Sequence, residues 1–205
     1  EVIQNDKIGD IIRMESFFGT NIVEKRKFIF FKKIKIDEKK RLFNKDLGGG
    51  SIFDLGCYPS SLSIIISKIK SGKYPEDVKL QNTKLDIGPT GVDLEAFTEL
   101  IFENGMSSKI GSSFKNNLGQ KTKIIGSKSE IIISNSWSCN SSNILIENKE
   151  VQIKLKYNNV LSYEIENVSN IVAGNNLTNQ SVIFDRFATE LNTKILVKWN
   201  SKNGK

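Results

Sequence analysis

The 205-residue chain contains no histidine. That absence removes Ser-His-Asp triads, Cys-His dyads and histidine-ligated metals from the chemistry these residues can perform. Any acid–base step here must use Asp, Glu, Lys, Tyr or Cys. Cysteine is nearly as scarce. Cys57 and Cys139 lie far apart and form no CxxC, so they make neither a zinc site nor a disulfide framework. No metal is expected, and both thiols are expected reduced in a cytoplasmic protein. Long apolar runs are also missing. The longest, at Ile64–Ile66 and Ile131–Ile133, are far too short to cross a bilayer, and no membrane partner is expected. No signal peptide is visible, and the chain opens on Glu1 inside what reads as the last turn of a helix, Glu1 to Asn5. It therefore reads as a fragment of a longer protein.

What is present is ordinary globular composition, 38% hydrophobic and 26% charged, enough for one sizeable core. The formal charge of +7 raises the question of a polyanionic partner. Lys, Ile and Asn are enriched throughout, however, which reads as compositional bias. The one dense basic stretch, from Glu24 to Arg41, also contains the apolar run Phe28 to Phe31. No nucleic-acid-binding motif accompanies it, so no nucleic-acid partner is expected.

Along the chain, Ile11 to Phe18 alternates as a strand, and the stretch from Gly19 to Leu47 has no clean period and reads as a long surface excursion. Gly48-Gly49-Gly50 introduces a helix from Ser51 to Lys70. Its predicted buried stripe is Ile52, Leu55, Pro59, Leu62, Ile66 and Ile69. Short alternating runs follow at Val78–Leu85, Leu94–Phe102, Met106–Phe114, Thr122–Gly126, Glu130–Ser134, Asn143–Glu147 and Val151–Lys156. Asn104-Gly105 predicts a hairpin turn with positive φ angles, and Gly126 to Ser129 a second hairpin. Two helices close the chain, one over Tyr163–Val172, the other over Ser181–Trp199 with Ile183, Phe187, Leu191, Ile195 and Trp199 in steps of four. The order predicts an α+β fold, a mostly antiparallel open sheet with helices on one face.

The segment with chemical content is Arg41 to Pro59. Three glycines before a helix let a backbone approach a ligand and expose helix N–H groups. This is not a GxGxxG turn and belongs to no βαβ unit, so it is no dinucleotide fingerprint. Asp54 and Tyr58, four residues apart, would share one helical face beside the apolar stripe and could form an acid–base pair. A regular helix beginning only at Pro59 would weaken that placement. A phenol, with a pKa of about 10, carries protons poorly at neutral pH unless a cation stabilises the phenolate.

The run Leu47-Gly48-Gly49-Gly50-x-x-x-Asp54-x-Gly56-x-Tyr58-Pro59 resembles the active-site helix of the glucose–fructose oxidoreductase, inositol dehydrogenase and dimeric dihydrodiol dehydrogenase family. Many members carry histidine where this chain has Tyr58; the tyrosine form is similar to the glucose–fructose oxidoreductase, xylose dehydrogenase and dihydrodiol dehydrogenase branch. Lys7 to Ile11, Thr90 to Asp93 before a central hairpin, Ile124 to Ile131 and Tyr163 to Glu166 fall in family order. Lys128-Ser129 departs from the usual small residue and glycine.

The resemblance implies a substrate-binding and dimerisation domain over residues 10–205, with 1–9 ending a Rossmann-type cofactor domain that lies upstream. It implies Tyr58 as the acid–base residue, Asp54 holding substrate or orienting the tyrosine, and Arg41, Gly49 and Gly50 contacting substrate. NAD or NADP would be bound mainly by the upstream domain, whose Glu-Lys-Pro motif would supply the cation beside Tyr58. The substrate would be a sugar, polyol or cyclic alcohol, and the fragment alone would be inactive. Pairing of two subunits through the open sheet face predicts an unusually apolar exposed face over Leu94 to Phe114. The alternatives are an NAD-dependent glycosidase of the same family and a non-catalytic binding or scaffold module.

Overall fold

A computed structural model of the chain describes residues 7–27, 30–33, 36–137, 144–146, 149–151, 159, 161–175 and 185–201. The predicted opening helix, Cys139 and Ile183 lie outside these residues.

Alternation of apolar and polar residues builds one eight-stranded sheet. Its strands are β1 (Ile11–Gly19), β4 (Val78–Ile87), β5 (Asp93–Phe102), β6 (Ser107–Ser113), β7 (Thr122–Gly126), β8 (Glu130–Ile133), β9 (Ile144–Ile146) and β10 (Lys149–Val151). Their spatial order is β10-β9-β8-β7-β1-β6-β5-β4, antiparallel except for the parallel pair β1–β6. In β5, Ala96, Thr98, Leu100 and Phe102 are buried on one side while Glu95, Phe97, Glu99 and Ile101 take the other. Helix α1 (Cys57–Ser71) lies over β1 and β6, and α3 (Arg186–Ser201) packs against α1 and β4. The core between them joins Met14, Ile64, Leu100, Ile110, Ile124, Leu191, Ile195 and Trp199. Ile8 is already part of it. The predicted α+β architecture is the observed one.

Four expectations are corrected. Of the predicted stripe, Ile52, Pro59 and Ile66 are buried, Leu62 and Ile69 pack half-buried on the core and Leu55 on a second one, but the fully buried face of α1 also holds Ser60, Ser63 and Ser67 beside Ile64. Facing serines Ser16, Ser108 and Ser112 on β1 and β6 are buried too. Small side chains let the helix lie low on the sheet, and Ser63 Oγ satisfies itself on the Pro59 carbonyl at 2.7 Å. The 19–47 excursion is not only surface. It contains a hairpin, β2 (Glu24–Lys27) with β3 (Phe30–Lys33), and feeds Ile22, Val23, Ile36, Leu42 and Phe43 into a second small core with Val92, Leu94 and Phe114. At the 102–106 turn only Gly105 takes a positive φ (80°); Asn104 instead donates to Ser67 Oγ at 2.9 Å, tying the hairpin to α1. In α3, Leu191, Ile195 and Trp199 are buried but Phe187 is 47% exposed. α2 (Leu161–Val172) buries no residue.

The exposed sheet face is not unusually apolar. Glu95, Glu99 and Lys109 interleave with Phe97 and Ile101. Its centre is aromatic: Phe17 and Phe97, 6.3 Å apart, close over Gly111, where a Cβ would collide with the Phe97 ring and crowd that of Phe17.

Candidate active site

The predicted segment folds as two 3-10 turns, Arg41–Phe43 and Lys45–Leu47, followed by a π-helical turn, Ile52–Gly56, that runs into α1. Asn44 organises the entry, its Oδ1 accepting from the Asp46 and Leu47 amides at 2.9 and 3.2 Å. Gly48 turns the chain at φ 66° on the surface. Gly49 and Gly50 are buried. A Cβ on Gly49 would stand 2.7 Å from the Arg41 and Asn44 carbonyl oxygens, and one on Gly50 (φ 110°) would collide with the Asp93 carboxylate. Their lack of a side chain thus serves close approach within the chain.

Because α1 begins at Cys57, Asp54 sits in a wider turn, and its four-residue spacing from Tyr58 is not that of an α-helix. What the π turn does instead is bring Asp54 to Arg41. The guanidinium Nη2 donates to Asp54 Oδ1 at 2.5 Å. Both side chains reach solvent, 58% and 25% exposed, so the pair contributes only about 0–1 kcal/mol to stability. Two predicted site residues are thereby joined through a contact the sequence did not announce.

Tyr58, 48% exposed, stands in an aromatic cluster. Its ring meets Phe18 edge-on (centroids 5.3 Å apart, 82° between planes) and Trp137 at 5.9 Å. Phe18 and Trp137 stack at 5.8 Å, and the indole Nε1 donates to the Phe17 carbonyl at 2.8 Å. The neighbouring Cys57 is half-buried, and burial, then the charge of Asp54, push its thiol pKa up, which keeps it a poor nucleophile.

Below the site lies Asp93, 1% exposed at the start of β5. Its Oδ2 accepts from Ser51 Oγ at 2.7 Å and from the Ile52 amide at 2.8 Å, and Ser51 Oγ also meets Ser112 Oγ at 3.0 Å. Burial raises the Asp93 pKa, and the bonds from Ser51 and Ile52 oppose that rise. At the other end of the π turn, a Cβ on Gly56 would stand 2.9 Å from the Trp199 ring.

Sequence reading missed Phe18, Trp137 and Asp93. The signals in the sequence were the Phe17-Phe18 pair and, for Asp93, its place at the end of the Thr90 to Asp93 run that falls in family order; neither gave a role. A polar cleft of about 370 Å³, lined by Glu38, Lys39, Phe43, Asn44, Lys45, Asp46 and Thr90, includes neither Tyr58 nor Asp54. Among the described residues no group of three or more His, Cys, Asp or Glu side chains is placed to hold a metal, and no helix is long and apolar enough to cross a membrane.

Comparison with known families matches residues 1–132 to the GFO/IDH/MocA C-terminal domain. The chain belongs to this family. As a GFO/IDH/MocA C-terminal domain it has a curated relative in the trans-1,2-dihydrobenzene-1,2-diol dehydrogenase of Xenopus tropicalis, 28% identical over 177 residues, which are 82% of this chain and 47% of the relative. The chain thus spans about half the length of the curated relatives it matches. Among solved structures, an aldose-aldose oxidoreductase from Caulobacter crescentus, determined with glycerol, superposes with a TM-score of 0.68 at 17% identity, over 99% of this chain and 57% of that one. A 3-ketoreductase from Actinomadura kijaniata, determined with NADP and TDP-benzene, does so at 0.62 and 14%, over 98% and 54%. These two likenesses establish the shared fold.

Proposed function

We propose that this GFO/IDH/MocA domain is the substrate-binding part of an NAD(P)-dependent oxidoreductase that transfers hydride between nicotinamide and a sugar, polyol or cyclic alcohol. The observation that carries the reading is the placement of Tyr58: a phenol half open to solvent, backed by Phe18 and Trp137, in the first turn of α1 directly after the π turn that carries Asp54, the partner of Arg41. Flat aromatic walls suit the apolar face of a ring, while Arg41 and Asp54 offer a donor and an acceptor to hydroxyl groups.

In this reading Tyr58 takes the proton of the substrate hydroxyl as the carbonyl forms, and returns it in the reverse direction. Phe18 and Trp137 hold the substrate ring and keep bulk water from that side of the phenol. A bound nicotinamide would supply the hydride chemistry at the carbinol carbon. The described residues do not form a dinucleotide cradle: the glycine turn follows 3-10 turns, not a strand, and its buried glycines face Asp93 and the chain's own carbonyls. Following the family resemblance, we assign cofactor binding mainly to another part of the protein, which would also supply the cation beside Tyr58.

The same reading places the protein in the cytoplasm as a homodimer through the open sheet face. The support for pairing there is the Phe17–Phe97 centre with charges of both signs around it, rather than a broadly apolar surface.

The test is incubation of the full-length protein with NAD+ or NADP+ and a panel of aldoses, polyols and trans-dihydrodiols. Net reduced nicotinamide is the expected product. Release of free sugar from glycosides without net cofactor turnover would replace this reading with the glycosidase.

A further inference from the structure

Asp93 is a carboxylate that no part of the proposed proton transfer uses, yet it is buried at 1% exposure directly beneath the site turn. Burying an ionisable group has a cost that only specific bonds offset. Here both bonds go to one place. Ser51 Oγ and the Ile52 amide, the two donors on Oδ2, are the residue before the π turn and its first residue. The amide is one of those that a helix start leaves without an intrahelical partner, so Asp93 supplies its acceptor from a different element. Oδ1 has no hydrogen-bond partner among the described residues and lies against the Cα of Gly50, whose φ of 110° and missing Cβ leave the space it fills. Ser51 is further joined to Ser112 of β6, so the entry of the turn is fastened to two adjacent strands.

The π turn carries Asp54, and α1 continues from it to Tyr58 in its first turn. A single π turn is a rare departure from α-helical bonding that is frequent at functional sites, and here its two ends are held by other elements. Gly56 against Trp199 grips one end; Asp93 grips the other. Tyr58 must meet two partners on other elements, Phe18 of β1 and Trp137 beyond β8, and a small rotation of the turn would take its ring off both.

We propose that Asp93 is a positioning residue: by clamping Ser51 and Ile52 to the sheet it sets where the Tyr58 hydroxyl and the Arg41–Asp54 pair stand. The proposal rests on the reading of Tyr58 as the acid–base residue. Its consequence is that loss of the clamp misplaces the phenol without removing any group that touches substrate. Misplacement of about 1 Å costs about 10²-fold in turnover.

The experiment compares Asp93→Ala, Asp93→Asn, Ser51→Ala and Thr98→Ala. Thr98 is a buried polar residue on the same strand that bonds Thr83 and Gln81, not the site turn, and so reports the cost of disturbing β5 alone. NMR of the full-length protein with labelled tyrosine rings reads Tyr58, displaced by the ring currents of Phe18 and Trp137. Tyr74, which packs on Phe187, serves as internal reference. Asp93→Ala is expected to move the Tyr58 ring resonances and leave Tyr74 in place. Asp93→Asn, which keeps an acceptor oxygen for both donors, is expected to hold Tyr58 near its native position, and Ser51→Ala to fall between. In the full-length dehydrogenase, kcat should drop about 10²-fold in Asp93→Ala, with the cofactor KM unchanged and substantial rescue by Asn. If Asp93→Ala fails to fold, Ser51→Ala carries the comparison. A Tyr58 signal and kcat that respond to Asp93→Ala or Ser51→Ala no more than to Thr98→Ala would overturn the proposal. A full-length Tyr58→Phe variant that keeps its turnover would instead remove the reading on which it rests, whatever the ring resonances do.

Discussion

At the scale of single residues, burial decides which side chains act on stability and which on chemistry. Arg41 and Asp54 form a short ion pair, but both are open to solvent, and such pairs contribute little to folding. Arg41→Ala is therefore expected to lower stability by less than about 1 kcal/mol in chemical denaturation, while raising the substrate KM of the full-length enzyme. Asp93 is the opposite case. Its folded-state pKa is raised, chiefly by burial, above the ordinary 3.8. In the window between those two values the folded chain binds more protons than the unfolded one. Stability contributed by the protonated acid is thus present at low pH and lost as pH rises through the raised value. Asp93→Asn lacks this titration. The stability difference, native minus variant, should fall as pH is raised from about 4 toward neutrality, a trend that melting curves across that range would show. A difference that grows with pH would mean that the carboxylate is better paired than its two bonds indicate.

At the scale of elements, the site helix depends on close approach more than on apolar mass. Gly56 fits against the Trp199 ring, so Gly56→Ala should cost about 1–3 kcal/mol through overpacking. The loss should be relieved by a smaller residue at 199, which a double-mutant cycle would detect. This packing explains what could be read in advance and what could not. The helix after Gly50 and the hairpins at 103–105 and 126–129 were legible because their signals are local: a glycine opening, a period, a turn pair. The buried face of α1 was not. Ser60, Ser63 and Ser67 read as polar, yet they are interior because the helix meets serines of β1 and β6 at short range. The small second core was hidden for a related reason, since Ile22, Ile36 and Phe43 belong to a segment without a period and meet only after it folds back.

At the scale of the molecule, the sheet order assembles the site. Phe18, Tyr58 and Trp137 are separated by tens of residues and come together because β8, β7 and β1 are successive neighbours and α1 crosses β1. No local pattern encodes that; a family resemblance supplied Tyr58, Asp54 and Arg41, and only the topology supplied their aromatic and buried-acid neighbours. Membership of the GFO/IDH/MocA C-terminal domains fixes the architecture, while the proposed chemistry turns on one hydroxyl group. Its removal is the most direct test. Tyr58→Phe in the full-length protein keeps the ring contacts to Phe18 and Trp137 and should leave folding and nicotinamide binding unchanged. Steady-state turnover with a reactive alcohol is expected to fall by about 10²–10⁴-fold. Turnover within a fewfold of the native enzyme would contradict the assignment of Tyr58 as the proton carrier.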